Sequence, residues 1–455
     1  MQLYSDYDIL SGNLSQLSGQ QEGLQEKAAQ KIKAHVEAAA RELSLVRFAN
    51  FENELYASIF LFVVSGESVG EKLGGIMAIR ELIDCTSAAA EQKVITFANT
   101  LSNALKANDD YTLLEMVAVA LGHMARNSPV SQVDYAENEL NQALYWLRES
   151  ENLSHRRFAA CAVLQQLAEN APTVFFVQTK EFFDLIWKPL RDPNERIRLS
   201  AGAALSACLA VLRQRTYHLQ WYCNIYEQIH EGFRKGTAES VHGSLIVVAE
   251  MLAHTGDFMI PRFKEISRAI IELREHRSKV VRGAILGLLS SLAMFCPDAF
   301  ARTHLDDSVD IVVRCFKVPE LRQQALLSTG QLCRAVGPYL ASRVDILLQI
   351  VTESFAAGPR KHRQEVGSEA LRCVSDMVVG LGVPFHSKVL SLLEPMLQSG
   401  LTAELIDTLS VIAEHMPAQR PAVQQRLLEE ATKILGGDAK QQLRVPAYMY
   451  VNMLS

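Results

Sequence analysis

The stretch Leu190-Arg191-Asp192-Pro193-Asn194-Glu195-Arg196-Ile197-Arg198-Leu199-Ser200-Ala201-Gly202-Ala203-Ala204-Leu205-Ser206-Ala207-Cys208-Leu209 decides the fold. Asp192-Pro193 is expected to close one helix and open the next. Proline tolerates the first helical turn, and an aspartate there accepts orphan amide hydrogens. Charged residues follow, then small ones from Ala201 to Ala204, then apolar positions at helical spacing. Small residues let a neighbouring helix come close.

The pattern recurs. Aligned on Ala204, comparable apolar registers fall at Ala78, Ala120, Val163, Val247, Leu288, Ser328, Cys373 and Val411. The steps run from about 38 to about 45 residues, near the period of HEAT and armadillo units, which are antiparallel helix pairs stacked on their neighbours. The expected fold is therefore all-α, a HEAT/armadillo-like α-solenoid superhelix of about nine to ten antiparallel helix pairs. No strand pattern of convincing length interrupts it. Residues 1–20, rich in Ser, Gln and Gly, read as a loose lead-in, and residues 21–455 as one continuous array. That array is expected to be cut at its C-terminal end. Val445 to Ser455 is apolar without a stop signal, whereas a finished array carries a polar outer cap.

Composition supports a filled helical core: 49% of the 455 residues are hydrophobic, 21% charged and 7% aromatic. The net charge of −6 shows no global basic excess, so no nucleic-acid partner is expected. The eight cysteines are scattered through apolar runs without a CxxC pair, as small core residues of a reducing compartment would be. The N-terminus lacks a signal-peptide pattern, and the apolar run Ile59 to Val64 is far shorter than the ~18 residues of a membrane span. A cytoplasmic chain without a transmembrane segment is the expectation.

Catalytic signatures are missing where they would be sought. Asp257-Phe258-Met259 lacks the companions of a kinase metal-binding loop and reads as an inter-helix turn. Gly66, Gly70, Gly74 and Gly75 have no preceding strand, so close helix packing explains them better than phosphate binding. His218, Cys223 and His230 fit no zinc module. No catalytic, cofactor-binding or metal-binding residue is assigned, and no cofactor is expected.

Charge offers two candidates. Asp192, Arg196 and Arg198, with Arg156 and Arg157 in the comparable place one unit earlier and Glu71 and Lys72 two units before that, could pair between units as a ladder. A solvated face is the equal alternative, worth ~0–1 kcal/mol per exposed pair. Arg360-Lys361-His362-Arg363 reads as a basic loop, and Arg360, Lys361 and Arg363 are candidate contacts for an acidic or phosphorylated partner. Solvated loops are the blander account of this stretch and of the basic run Arg274 to Arg282.

Several stretches carry a family resemblance: KLGGIMAIRELI from Lys72 to Ile83, Phe97 to Ala125, YAENELNQALYWL from Tyr135 to Leu147, and Arg156 to Leu212. Gln220-Trp221-Tyr222, Val241-His242-Gly243, FCPDAF from Phe295 to Phe300 and LLEPMLQSGL from Leu392 to Leu401 follow in order. Jointly they resemble the N-terminal HEAT region of the TOR (target of rapamycin) serine/threonine kinases, of the phosphatidylinositol-3-kinase-related group, over roughly residues 45 to 435. The family carries a long insertion near His254 to Phe258 that is nearly absent here. Its FAT region, rapamycin-binding segment and kinase domain have no counterpart in the chain, so phosphotransfer is not expected of it. The resemblance implies a scaffold that contacts a Raptor-type subunit and a second TOR protomer and helps receive a Rheb-type small GTPase. It also implies association with endolysosomal or vacuolar membranes through the complex. A free-standing HEAT adaptor, such as a phosphatase scaffold or nuclear transport receptor, is the alternative. An enzyme with an unrecognised pocket comes third.

Overall fold

The computed structural model describes residues 12–19, 21–127, 134–149, 153–215, 219–356, 360–398 and 402–435. Among these the regular elements are all helical. The chain divides into two compact units, residues 1–250 and 251–455.

The first unit opens with the helix Glu22–Glu42 and continues in pairs: Leu45–Ser65 with Val69–Leu82, Ala90–Ala107 with Tyr111–Asn127, and Asp134–Glu149 with Ser154–Asn170. The first helix of the next pair, expected as one rod from Thr173 to Leu190, is three pieces: Pro172–Val177, Thr179–Leu185 and Trp187–Leu190. It precedes Glu195–Arg213, and Leu219–Lys235 then leads to Ala238–His254. The second unit pairs Phe263–Glu272 with Lys279–Phe295, Leu305–Phe316 with Arg322–Val336, Val344–Ala356 with Arg360–Leu381, and Val383–Gln398 with Ala403–His415, ending on Arg420–Leu435.

Every aligned register lies in the second helix of a pair. Ala78, Ala120, Val163, Ala204, Val247, Leu288, Ser328 and Cys373 are buried and Val411 is half-buried. The second helices pack on one another: Ser154–Asn170 lies between Tyr111–Asn127 and Glu195–Arg213. Wedged this way, Ser154–Asn170 buries Phe158 and then every residue from Ala159 to Leu164, and alanines keep its girth small enough to fit. A helix covered on nearly all sides needs no amphipathic stripe. Gly202 and Gly243 sit at close approaches between helices. A Cβ on Gly202 would strike Ile246, and one on Gly243 would strike the Leu190 carbonyl oxygen. Gly74 and Gly75 behave alike, against the Leu17 carbonyl and Val63, which is close packing rather than a phosphate cradle.

Three local expectations differ from the structure. Asp192 does not cap the helix that follows it. Asn194 does, its Oδ1 accepting the Arg196 amide at 2.9 Å, because the Asp192 carboxylate is turned toward an earlier repeat. The stretch expected as a basic loop begins a helix, since Arg360 opens Arg360–Leu381 and so places Arg360, Lys361 and Arg363 in its first turn. Part of the expected lead-in is helical: residues 12–17 form a short helix, Leu17 is fully buried, and the Gln25 side-chain amide lies 2.8 Å from the Leu17 carbonyl and 2.7 Å from that of Gly70.

Candidate functional site

Proline and the Asn194 cap turn the chain sharply between Trp187–Leu190 and Glu195–Arg213, and this turn collects the polar groups of three repeats. Arg157, from the preceding repeat, donates from Nε to Asp192 Oδ2 at 2.6 Å, with the two side chains 11% and 4% exposed. The other Asp192 oxygen accepts the Asn194 amide at 2.8 Å. Arg198 donates to the carbonyl oxygens of Asp192 and Pro193, at 2.7 and 3.0 Å, and from Nε to His242 Nδ1 of the following repeat at 2.9 Å. Burial, and then the Arg198 charge, push the His242 pKa down to about 4. The imidazole is thus neutral near pH 7 and keeps a lone pair for Arg198. A buried ion pair is favourable when its remaining hydrogen-bonding capacity is met, as it is by the Asn194 amide for Asp192 here, while the turn carbonyls do the same for the buried Arg198.

Of the ladder candidates in these two units, Arg157, Asp192 and Arg198 are brought together. Arg156 is half-buried and its Nε has no partner. Arg196 is exposed and faces away, its guanidinium 5.7 Å over the Tyr111 ring. Counting six residues back from the nine aligned registers gives a cation at five, Lys72, Arg157, Arg198, Arg282 and Arg322, and Leu114, Val241, Gly367 and Leu405 at the others. This spacing is the partial signal that separates Arg157 and Arg198 from their neighbours. Lys72 donates to Asn108 of the next repeat at 2.7 Å, an earlier rung of the same kind. In the sequence His242 stands out only within the Val241-His242-Gly243 stretch of the resemblance and Asn108 only within Phe97 to Ala125, neither as a partner for a charge, because a histidine and an asparagine there look like ordinary helix and turn residues. Of the second candidate group, Arg360, Lys361 and Arg363 have side chains outside the described ones. Within the run Arg274 to Arg282, Arg274 lies 3.7 Å from Asp307 and Lys279 pairs with Glu320 at 2.5 Å, so these cations serve contacts between repeats.

On the second helices of the first unit, a cleft of about 330 Å³ runs across three repeats. Tyr111 and Phe158 meet edge to face at 4.7 Å within it, the Asn194 side chain donates to the Tyr111 hydroxyl at 3.0 Å, and Glu115 and Arg196 line it. It holds no arrangement of nucleophile and base. His218 lies outside the described residues, Cys223 is exposed and His230 meets the Tyr226 ring edge-on at 4.7 Å. No group of three His, Cys, Asp or Glu among the described residues could hold a metal ion. All eight cysteines are free thiols, and burial holds Cys161, Cys208, Cys333 and Cys373 far above the thiolate range. No helix of the described residues is long and apolar enough to cross a membrane.

No family model matches the chain. In sequence it is 32% identical over 418 residues to the serine/threonine-protein kinase TOR of Arabidopsis thaliana, 91% of this chain and 17% of that protein. The chain is a relative of the TOR kinases. TOR of Oryza sativa subsp. japonica is 33% identical over 402 residues, 88% of this chain and 16% of the relative. The kinase tor1 of Schizosaccharomyces pombe is 28% identical over 425 residues, 93% and 18%. The chain thus corresponds to one segment of the curated TOR relatives it matches. Among solved structures, Kap121p bound to Nup53p aligns with a TM-score of 0.53 at 13% identity, over 92% of this chain and 47% of that one. Kap121p bound to Pho4p also gives 0.53 at 13%, over 98% and 49%. At such identity the likeness is one of fold, a HEAT-type helical solenoid.

Proposed function

We propose that this chain is a scaffold segment of a TOR-type serine/threonine protein kinase, with the catalytic domain elsewhere in the parent protein. In this reading it organises complex assembly, dimerisation with a second TOR protomer, and docking of a Raptor-type subunit and a Rheb-type GTPase. It works in the cytoplasm, with endolysosomal or vacuolar association through the complex. The observation that carries the reading is TOR-kinase identity of 32% across 91% of the chain. The buried rung Arg157–Asp192–Arg198–His242 supports it, since it ties successive repeats together and keeps the surface they present in one register. Arg360, Lys361 and Arg363 are proposed as a contact for an acidic partner, and a double charge reversal at Arg360 and Arg363 that left partner binding intact would remove them from it. The main test is deletion of residues 45–435 from the parent kinase. Loss of complex assembly is expected, and a kinase that assembled and signalled normally would overturn the reading.

The likeness to the karyopherin Kap121p favours a second reading, a free-standing transport-type adaptor. A pull-down against GTP-loaded Ran separates the two: retention of Ran supports the adaptor, and its absence the kinase scaffold.

A further inference from the structure

Two buried glutamates of the first unit differ in how their charge is met. Glu52 is 3% exposed and both its oxygens are satisfied, one by the Tyr56 hydroxyl at 2.8 Å and the other by the Ala88 amide at 2.8 Å. Glu139 is 7% exposed, and among the described residues the Ser102 hydroxyl is the hydrogen-bonding neighbour that favours its charge. A carboxylate can accept about four hydrogen bonds, so most of its capacity is unused. Lys106 acts on it through space. Burial raises the Glu139 pKa, the ordinary response of a carboxylate short of partners.

Glu139 lines a cleft of about 480 Å³ between the first helices Ala90–Ala107 and Asp134–Glu149. Asn99, Asn138, Asn141 and Gln142 supply side-chain amides along it, each with a donor beside an acceptor, which is the pattern that pairs with a peptide unit. Tyr135 and the exposed Tyr145 add rings, whose faces attract cations.

We propose that this cleft receives an extended segment of a partner protein and that an arginine or lysine of that segment pairs with Glu139. The amides hold the segment's backbone, the tyrosines flank the cationic side chain, and the carboxylate gains the counter-charge its own chain does not supply. The proposal rests on the reading of the chain as a protein-binding scaffold and adds the chemistry of one contact.

The test titrates the full chain with the capped peptide Ala-Ala-Arg-Ala-Ala and with its citrulline counterpart, which keeps the shape and loses the charge. Binding is followed through the methyl resonance of Ala98, which lines the cleft. The arginine peptide should bind about tenfold more tightly than the citrulline peptide, as expected for a charge-assisted contact. Glu139→Gln should erase that preference, and Lys106→Ala, which removes a competing cation, should strengthen it. Tyr145→Ala at the exposed rim should weaken binding, and serves as the test variant if Glu139→Gln fails to fold. Equal binding of the two peptides, a preference unaffected by Glu139→Gln, or arginine amide binding as tightly as the peptide would each overturn the proposal. The peptides contain nothing of a TOR complex, so failure here is separate from failure of the scaffold reading, which the deletion tests.

Discussion

In residues 1–250 the central link between repeats is a buried charge, with Arg157 and Asp192 11% and 4% exposed, while in residues 251–455 most charged links lie at the surface, Arg334 with the 15% exposed Asp376 being the partly buried one. There Lys279 and Glu320 are 53% and 59% exposed, and Arg343 and Asp306 41% and 78%. Arg314 with Glu275, Lys388 with Asp345 and Arg426 with Glu394 follow the same habit. Inside the second unit the links are neutral: Ser328 donates to the Leu286 carbonyl at 2.8 Å, Thr408 to that of Leu371 at 3.2 Å, and the Ser267 hydroxyl lies 2.9 Å from His304 Nε2. One repeat architecture thus uses two polar solutions. A buried charge needs every partner in place and fails sharply when one is lost, whereas an exposed pair or a lone hydroxyl contributes little and fails gently.

The contrast is broken most directly at Asp192. Asp192→Ala removes the carboxylate that meets the buried Arg157 guanidinium, and should destabilise the first unit by about 3–5 kcal/mol. Denaturant unfolding with hydrogen exchange read separately in the two units would measure it. A loss confined to the second unit, or too small to resolve, would contradict the geometry.

Acid should act next. His242 has a folded pKa of about 4, below the ordinary histidine value. Between the two values the unfolded chain binds a proton that the folded chain refuses. The contribution is therefore fully present above the unfolded pKa of about 6.5 and is lost as pH falls from there to about 4, costing up to roughly 2–3 kcal/mol. His242→Gln should flatten that slope in the first unit, because an amide oxygen can still accept from Arg198. His304 is also pushed down by burial, so a slope of the same sign and smaller size should survive in the second unit. Exchange protection of Ala238–His254 between pH 7 and pH 4, compared in wild type and variant, reads the difference.

The smallest effect belongs to the surface pairs. Arg343→Ala should change stability by less than about 1 kcal/mol, and the change should fade in roughly 1 M salt, where the Debye length is about 3 Å. A salt-resistant effect would mean that the two units are more alike than their exposures indicate.

Much of this molecule is written in short-range pattern. The recurrence of Ala78, Ala120, Val163, Ala204 and their successors, the glycines at close approaches and the breaks at Ser65-Gly66 and His254-Thr255-Gly256 all follow from helical period and backbone sterics within a few residues. The chain's relation to the TOR kinases was also legible, since ordered motifs survive divergence. The tertiary structure alone chose among neighbours. Arg156 and Arg157, or Arg196 and Arg198, have nearly the same side-chain chemistry but point about 100–200° apart around their helices. Which of them meets the next repeat depends on how Ala159, Ala160 and Gly202 let each helix roll against its neighbour. The same holds for Asn194 displacing Asp192 as the cap, for His242 completing the rung, and for Glu139 lining a cleft with few partners while both Glu52 oxygens are met. Periodicity determines which residues are helical and which face is buried. The partner of a buried polar group lies a whole repeat away, at a distance and angle that only packing sets.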